Sequence, residues 1–183
     1  MSLPLRVLVA DERGRAAAAP GLARWLAGVA PSRVRGTVNI AMVSDATVRE
    51  LNRRYRGVDA ATDVLSFPAS PVIHAARRPR GPRPQPPASS PQPPVLGPLL
   101  GDIVIARGVA RRQAREARHA EAIELRVLAL HGLLHLIGYD HERDDGRMRR
   151  VEQRLRRKGR LREGLIERAG EPRTSARGRA RNR

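Results

Sequence analysis

Three of the five histidines in this 183-residue chain fall within eleven residues, in the run His131-Gly-Leu-Leu-His135-Leu-Ile-Gly138-Tyr-Asp-His141. That run limits local structure as tightly as it limits chemistry. Upstream, Ile123, Val127, Leu130, Leu134 and Ile137 recur at helical spacing, which predicts a helix over about 120–137. On such a helix, positions i and i+4 lie one turn apart on one face, so His131 and His135 can aim at one point. Gly138 offers a stop, because glycine takes the left-handed conformation at little cost. The chain can then double back and bring His141 to the same point. Three imidazoles on one cation leave a tetrahedral position open for water, as in a catalytic zinc site rather than a closed structural one. One zinc ion per chain is therefore expected on His131, His135 and His141; nickel or copper would also accept these donors. For His74, in a low-complexity stretch, and His119, near a helix junction, an ordinary structural role is the reading adopted.

The length suits one domain with appendages, and the chain has no cysteine, which excludes thiolate metal sites and disulfides. Hydrophobic content is 40%, yet only Trp25, Tyr55, Phe67 and Tyr139 are aromatic, so Leu, Val, Ile and Ala must build the core. No apolar run is long enough for a membrane span, and the first residues do not form a signal peptide. A cytoplasmic location without membrane association is expected. The net charge of +18 favours a polyanionic partner such as RNA, DNA or the ribosome. Lys158 is the only lysine, an arginine-for-lysine bias that a GC-rich genome can also produce.

Strands are expected over 5–10, 36–43, 63–67 and 101–106. Helices are expected over 20–29, with Pro20 in the first turn, then after a cap at Ser44 or Asp45, then over about 107–118 and 120–137. The second of these places Val48, Leu51 and Tyr55 on one face. A last helix should start at Asp144 or Asp145 and run to about Arg157. Four short strands with five helices imply an α+β domain with a single small mixed sheet, and the histidine spacing makes its fourth helix a zincin-like metal-binding helix. The segment from Pro68 to Pro98 holds eleven of the fifteen prolines, four arginines and no acidic residue. It reads as a disordered insertion over about 69–98, either idle or gripping RNA non-specifically, within a domain spanning 1–168. Residues 169–183 read as a disordered basic tail.

The histidine window resembles that of the YbeY family, bacterial rRNA maturation factors described as metal-dependent single-strand endoribonucleases. Leu51-Asn-Arg-Arg-Tyr55-Arg56-Gly57 with Thr62-Asp63-Val-Leu-Ser66-Phe67-Pro68 looks like that family's upstream motif. Leu100-Gly101-Asp102-Ile-Val-Ile105 looks like its middle one. The three occur in the family's order, and the resemblance spans about residues 5–160. It implies a four-stranded sheet packed with helices, zinc on His131, His135 and His141, and an important arginine at Arg56. It further implies precursor rRNA as substrate, especially the 3′ end of the small-subunit RNA, and a part in ribosome quality control with the ribosome or small subunit and assembly factors as partners. The Pro/Arg insertion and the basic tail depart from the family pattern, outside its motifs.

The spacing His-x3-His-x2-Gly-x2-His also occurs in a class of zinc peptidases, which carry a glutamate base directly after the first histidine. Here Gly132 holds that place, so the peptidase reading lacks its base. For phosphodiester hydrolysis, zinc acidifies its water and stabilises phosphoryl charge, and an arginine clamps the phosphate. Arg56 is the candidate for that clamp. A general base could be Asp140, Glu142, Asp144 or Asp145; Asp140 could instead orient a ligand ring. With so few aromatics, binding should be dominated by the RNA backbone and strongly salt-dependent. The competing class is a non-catalytic ribosome-assembly factor with a structural zinc.

Overall fold

In β1 (Leu5–Asp11) and β2 (Gly36–Val43), apolar side chains recur at every second position, as a strand with a covered face requires. A computed structural model describes residues 4–69, 98–141 and 143–161. With β3 (Val64–Pro68) and β4 (Leu99–Ala106) these strands form one sheet in the order β1-β2-β4-β3. The β1–β2 and β2–β4 pairs are parallel, and β3 runs antiparallel to β4 at the edge. The sheet is thus mixed and four-stranded, and the domain is α+β as expected. The expected insertion at about 69–98 and the tail at 169–183 lie essentially outside the described residues.

Five helices pack around this sheet: α1 (Leu22–Val29), α2 (Asp45–Arg56), α3 (Arg107–Glu116), α4 (Glu121–Leu136) and α5 (Arg147–Lys158). On one face, Val38, Ile40 and Met42 of β2 join Ile103 and Ile105 of β4 beneath α1, α4 and α5. On the other, Val43, Leu65, Val104 and Ala106 meet Val48 of α2. Odd and even positions of β2, β3 and β4 divide between the two cores, as the strand period dictates.

Several boundaries differ from expectation for identifiable reasons. The first helix begins at Leu22, because Gly21 at φ 75° is its cap, so Pro20 precedes the helix rather than opening it. The Ser44 side chain accepts from the Thr47 amide and caps α2. Asp144 precedes α5 by several residues, yet its carboxylate accepts the Met148 amide at 2.7 Å, which explains why it read as a helix start. The expected apolar stripe on α4 was too narrow: Leu125, Leu128, Leu133 and Leu136 are buried along with Val127, Leu130 and Leu134. Flanked by the sheet, α1, α3 and α5, this helix is apolar nearly all round. Each of its fully buried leucines contributes about 1.5–3 kcal/mol. In α2, Val48 is buried and Leu51 partly so, but Tyr55 is exposed.

Gly132 decides how closely α4 approaches the sheet. A Cβ there would lie 2.8 Å from Cγ2 of Ile103 and 3.1 Å from Oγ of Ser66. Ser66 also donates its hydroxyl to the Gly132 carbonyl. A glutamate at this place would be driven into β3 and β4, so the fold rejects the peptidase base as well as lacking it. Substituting alanine gains about 1 kcal/mol in helix propensity, but overpacking costs about 1–3 kcal/mol. Gly132→Ala should therefore be less stable by about 1 kcal/mol, and Gly132→Val by more, in urea unfolding. An alanine variant as stable as the parent would show that this approach is looser than described.

Candidate metal centre

His131 and His135 occupy the last turns of α4, and the turn after it carries His141. The helix ends as its sequence demands. Gly138 has φ 93°; its amide donates to the His135 carbonyl, and the Tyr139 amide donates to the Leu134 carbonyl, both at 3.0 Å. This pair of bonds is the Schellman motif, which requires a left-handed residue where Gly138 stands. Tyr139 then packs against the core, and the chain turns back over the two ring-bearing residues.

The three rings converge. Their centroids lie 4.7 Å (His131–His135), 5.3 Å (His135–His141) and 5.6 Å (His131–His141) apart. One ring nitrogen from each lies within 4.8 Å of the others, and the Nε2 atoms of His131 and His135 are 3.1 Å apart. Nitrogens each about 2.0–2.1 Å from a tetrahedral zinc stand about 3.3 Å from one another, which the His131–His135 pair already matches. His131 and His135 are half-buried and His141 is exposed, which leaves one side of the cluster open.

Burial, then the neighbouring His131 and His141, push the His135 pKa from 6.5 down to about 4. Its imidazole is neutral at pH 7 and offers a lone pair, as a metal ligand must.

Behind His131 stands a carboxylate that the sequence reading missed. Glu152 of α5 places Oε1 3.5 Å from His131 Nδ1, at the outer limit of hydrogen bonding. Its other partner is Arg156, 2.6 Å away and buried. Burial alone would raise the Glu152 pKa, but His131 and Arg156 together outweigh it and hold the carboxyl below its ordinary value. An ionised carboxylate at Nδ1 favours the tautomer that leaves Nε2 free toward the cluster centre. The sequence signal was Glu152 sharing a helix face with Met148 and Leu155, both buried. Its i,i+4 partner Arg156 made it look like an ordinary surface pair.

The other expected residues are placed unevenly. Arg56 ends α2, is exposed, and makes no side-chain hydrogen bond or ion pair among the described residues. Its neighbour Tyr55 packs on Phe67, and the next residue along β3, Ser66, touches Gly132 beside His131. Of the base candidates, Asp140 is near enough for its charge to act on His135, and it also lies 3.8 Å from Arg143. Asp144 is engaged at the start of α5, Asp145 is exposed, and Glu142 lies outside the described residues. His119 is no part of the cluster: it pairs with buried Glu124 at 2.9 Å, a structural role as expected. His74 lies outside the described residues.

Fold and site together define an α+β protein whose central helix and following turn present a three-histidine cluster that could hold a metal ion. Residues 23–159 match the sequence model of the family described as Endoribonuclease YbeY. The Endoribonuclease YbeY of Anaeromyxobacter sp. (strain Fw109-5) is 42% identical over 181 residues, covering 94% of this chain and 83% of the relative. That of Koribacter versatilis (strain Ellin345) is 41% identical, covering 76% of this chain and 75% of the relative. That of Helicobacter pylori (strain Shi470) is 38% identical, covering 73% and 79%. The chain belongs to the Endoribonuclease YbeY family.

Two outcomes test the centre. Between pH 6.5 and about 4, the unfolded chain protonates His135 while the folded metal-free protein does not, so the unfolded state binds more protons. Stability of the metal-free protein must fall as pH drops through that window, and His135→Gln should flatten the fall in thermal melting. Parallel melting curves for the two proteins would remove the buried neutral imidazole from the account. Separately, Glu152→Gln combined with Arg156→Met removes both buried charges together. That variant should fold and bind zinc about 10–100-fold more weakly in competition titrations.

Proposed function

We propose that this protein is a zinc-dependent endoribonuclease that cleaves single-stranded RNA during rRNA maturation, including the 3′ end of the small-subunit RNA, and contributes to ribosome quality control. The observation that carries the reading is the convergence of His131, His135 and His141 at the end of one buried helix, with one side of the cluster open. Membership in a family named for RNA cleavage and a net charge of +18 support RNA as the substrate. The ribosome or its small subunit would be the setting in which precursor rRNA is met. Among the described residues no helix is long and apolar enough to cross a membrane, which accords with action on RNA in the cytoplasm.

His131, His135 and His141 would hold the ion through neutral imidazole nitrogens, with Glu152 fixing the His131 ring. Bound zinc supplies Lewis acidity and lowers the pKa of its water toward neutrality. Arg56, exposed and without a carboxylate partner among the described residues, is available to grip a phosphate with its planar fork. Of the three described carboxylate candidates, Asp140 is the one whose charge acts on His135, and it is the one we assign to accept a proton. Gly132 packs against the sheet and keeps any side chain out of the position that a peptidase base would take.

The second reading, a non-catalytic assembly factor with a structural zinc, is favoured only by the large basic surface. Highly purified protein assayed on single-stranded RNA separates the two. His135→Ala and Arg56→Ala should each lower the cleavage rate at least about 100-fold. Arg56→Ala should keep its zinc and its fold. Equal cleavage by all three proteins would point to a contaminating nuclease, and no cleavage by the zinc-loaded parent would favour the assembly factor.

A further inference from the structure

The surface at the end of α2 holds an aromatic ring where an ordinary core reading places none. Tyr55 is 50% exposed and Val58 49%, two of three large apolar side chains left exposed among the described residues. A single exposed apolar side chain needs no explanation, but this one is fixed in orientation. Phe67, packed against the second core, meets the Tyr55 ring edge-on, with centroids 5.1 Å apart and planes at 67°. The Arg54 guanidinium lies 5.6 Å from the Tyr55 centroid. Arg53, Arg54 and Arg56 all sit in this last turn, where they also complement the negative end of the helix.

We infer that Tyr55 is a stacking platform for a nucleobase of single-stranded RNA, with the arginines of the same turn holding the adjoining phosphates. An anchored aromatic ring loses little entropy when a base stacks on it, and every base has a π-face to offer. Flanking cations match a polyanion and not an apolar peptide. The platform and the histidine-bearing helix meet the same strand from opposite faces of the sheet. Phe67, under the Tyr55 ring, is consecutive with Ser66, whose hydroxyl donates to Gly132 next to His131. Both features therefore flank β3, the edge strand of the sheet, and an RNA strand crossing that edge touches both. Recognition is then not purely through the backbone: one base position is held by its ring.

This inference rests on the RNA-cleavage reading, so its test must separate the two. The probe is a 2′-O-methyl oligoadenylate, which lacks the free 2′-hydroxyl, and a chain of the same length without bases. Binding to zinc-loaded protein is followed by anisotropy, beside cleavage of ordinary RNA. Tyr55→Ala should bind oligoadenylate about tenfold more weakly, and Tyr55→Phe within about twofold of the parent. All three should bind the baseless chain alike. Tyr55→Leu, which keeps apolar bulk without the ring, should behave as Tyr55→Ala and serves in its place if that variant folds poorly. The platform is overturned if Tyr55→Ala and Tyr55→Leu bind oligoadenylate as the parent does. It is equally overturned if they lose as much affinity for the baseless chain. Should either result come with normal cleavage by the parent, only the platform fails; a parent that binds neither probe and cleaves nothing sinks both readings.

Discussion

The seating of α4 on the sheet is the constraint from which the rest of the molecule follows. A helix buried on nearly every side cannot shift without opening the core, so the rings it carries are held as firmly as the core itself. Gly132 allows that seating by leaving room for Ile103 and Ser66, one residue from His131. Gly138 completes it, because a left-handed residue at this place turns the chain back and sends His141 toward the same cluster. A histidine cluster built this way, able to hold a metal ion, is preorganised by packing.

Burying polar groups next to that centre carries a cost that the structure meets by pairing. Glu152 and Arg156 offset one another between α4 and α5, and the same carboxylate turns toward His131. At the start of α4, burial pushes the Glu124 carboxyl up while the partner His119 pulls it back only in part. Removing one member of such a pair leaves an uncompensated charge in the interior, which costs several kcal/mol. The Glu152–His131 contact reaches from α5 to α4 and gives the His131 ring a direction. The polar contacts thus serve position more than stability.

The surface follows a different logic. Arginine outnumbers what the described ion pairs absorb, and the excess confers a general attraction for nucleic acid without choosing a site. Selection of a place on the RNA needs groups with fixed direction. The three-histidine cluster on one side of β3 and the Tyr55–Phe67 pair on the other have that property. Arg56 stands in the same turn as Tyr55, which links the candidate phosphate clamp to the ring by sequence alone.

Much of this was written in the chain. The strand alternation of Val38, Ile40 and Met42, the spacing of His131 and His135, and the glycine that ends their helix follow from local periodicity and backbone sterics, which neighbouring residues determine among themselves. Glu152 was not legible: its place behind His131 depends on how α5 folds back over α4, and in sequence it looks like half of a solvated pair with Arg156. The near-complete burial of α4 and the exposure of Tyr55 were hidden for the same reason. A helical stripe shows which side chains share a face, but only the packed neighbours decide whether that face is covered.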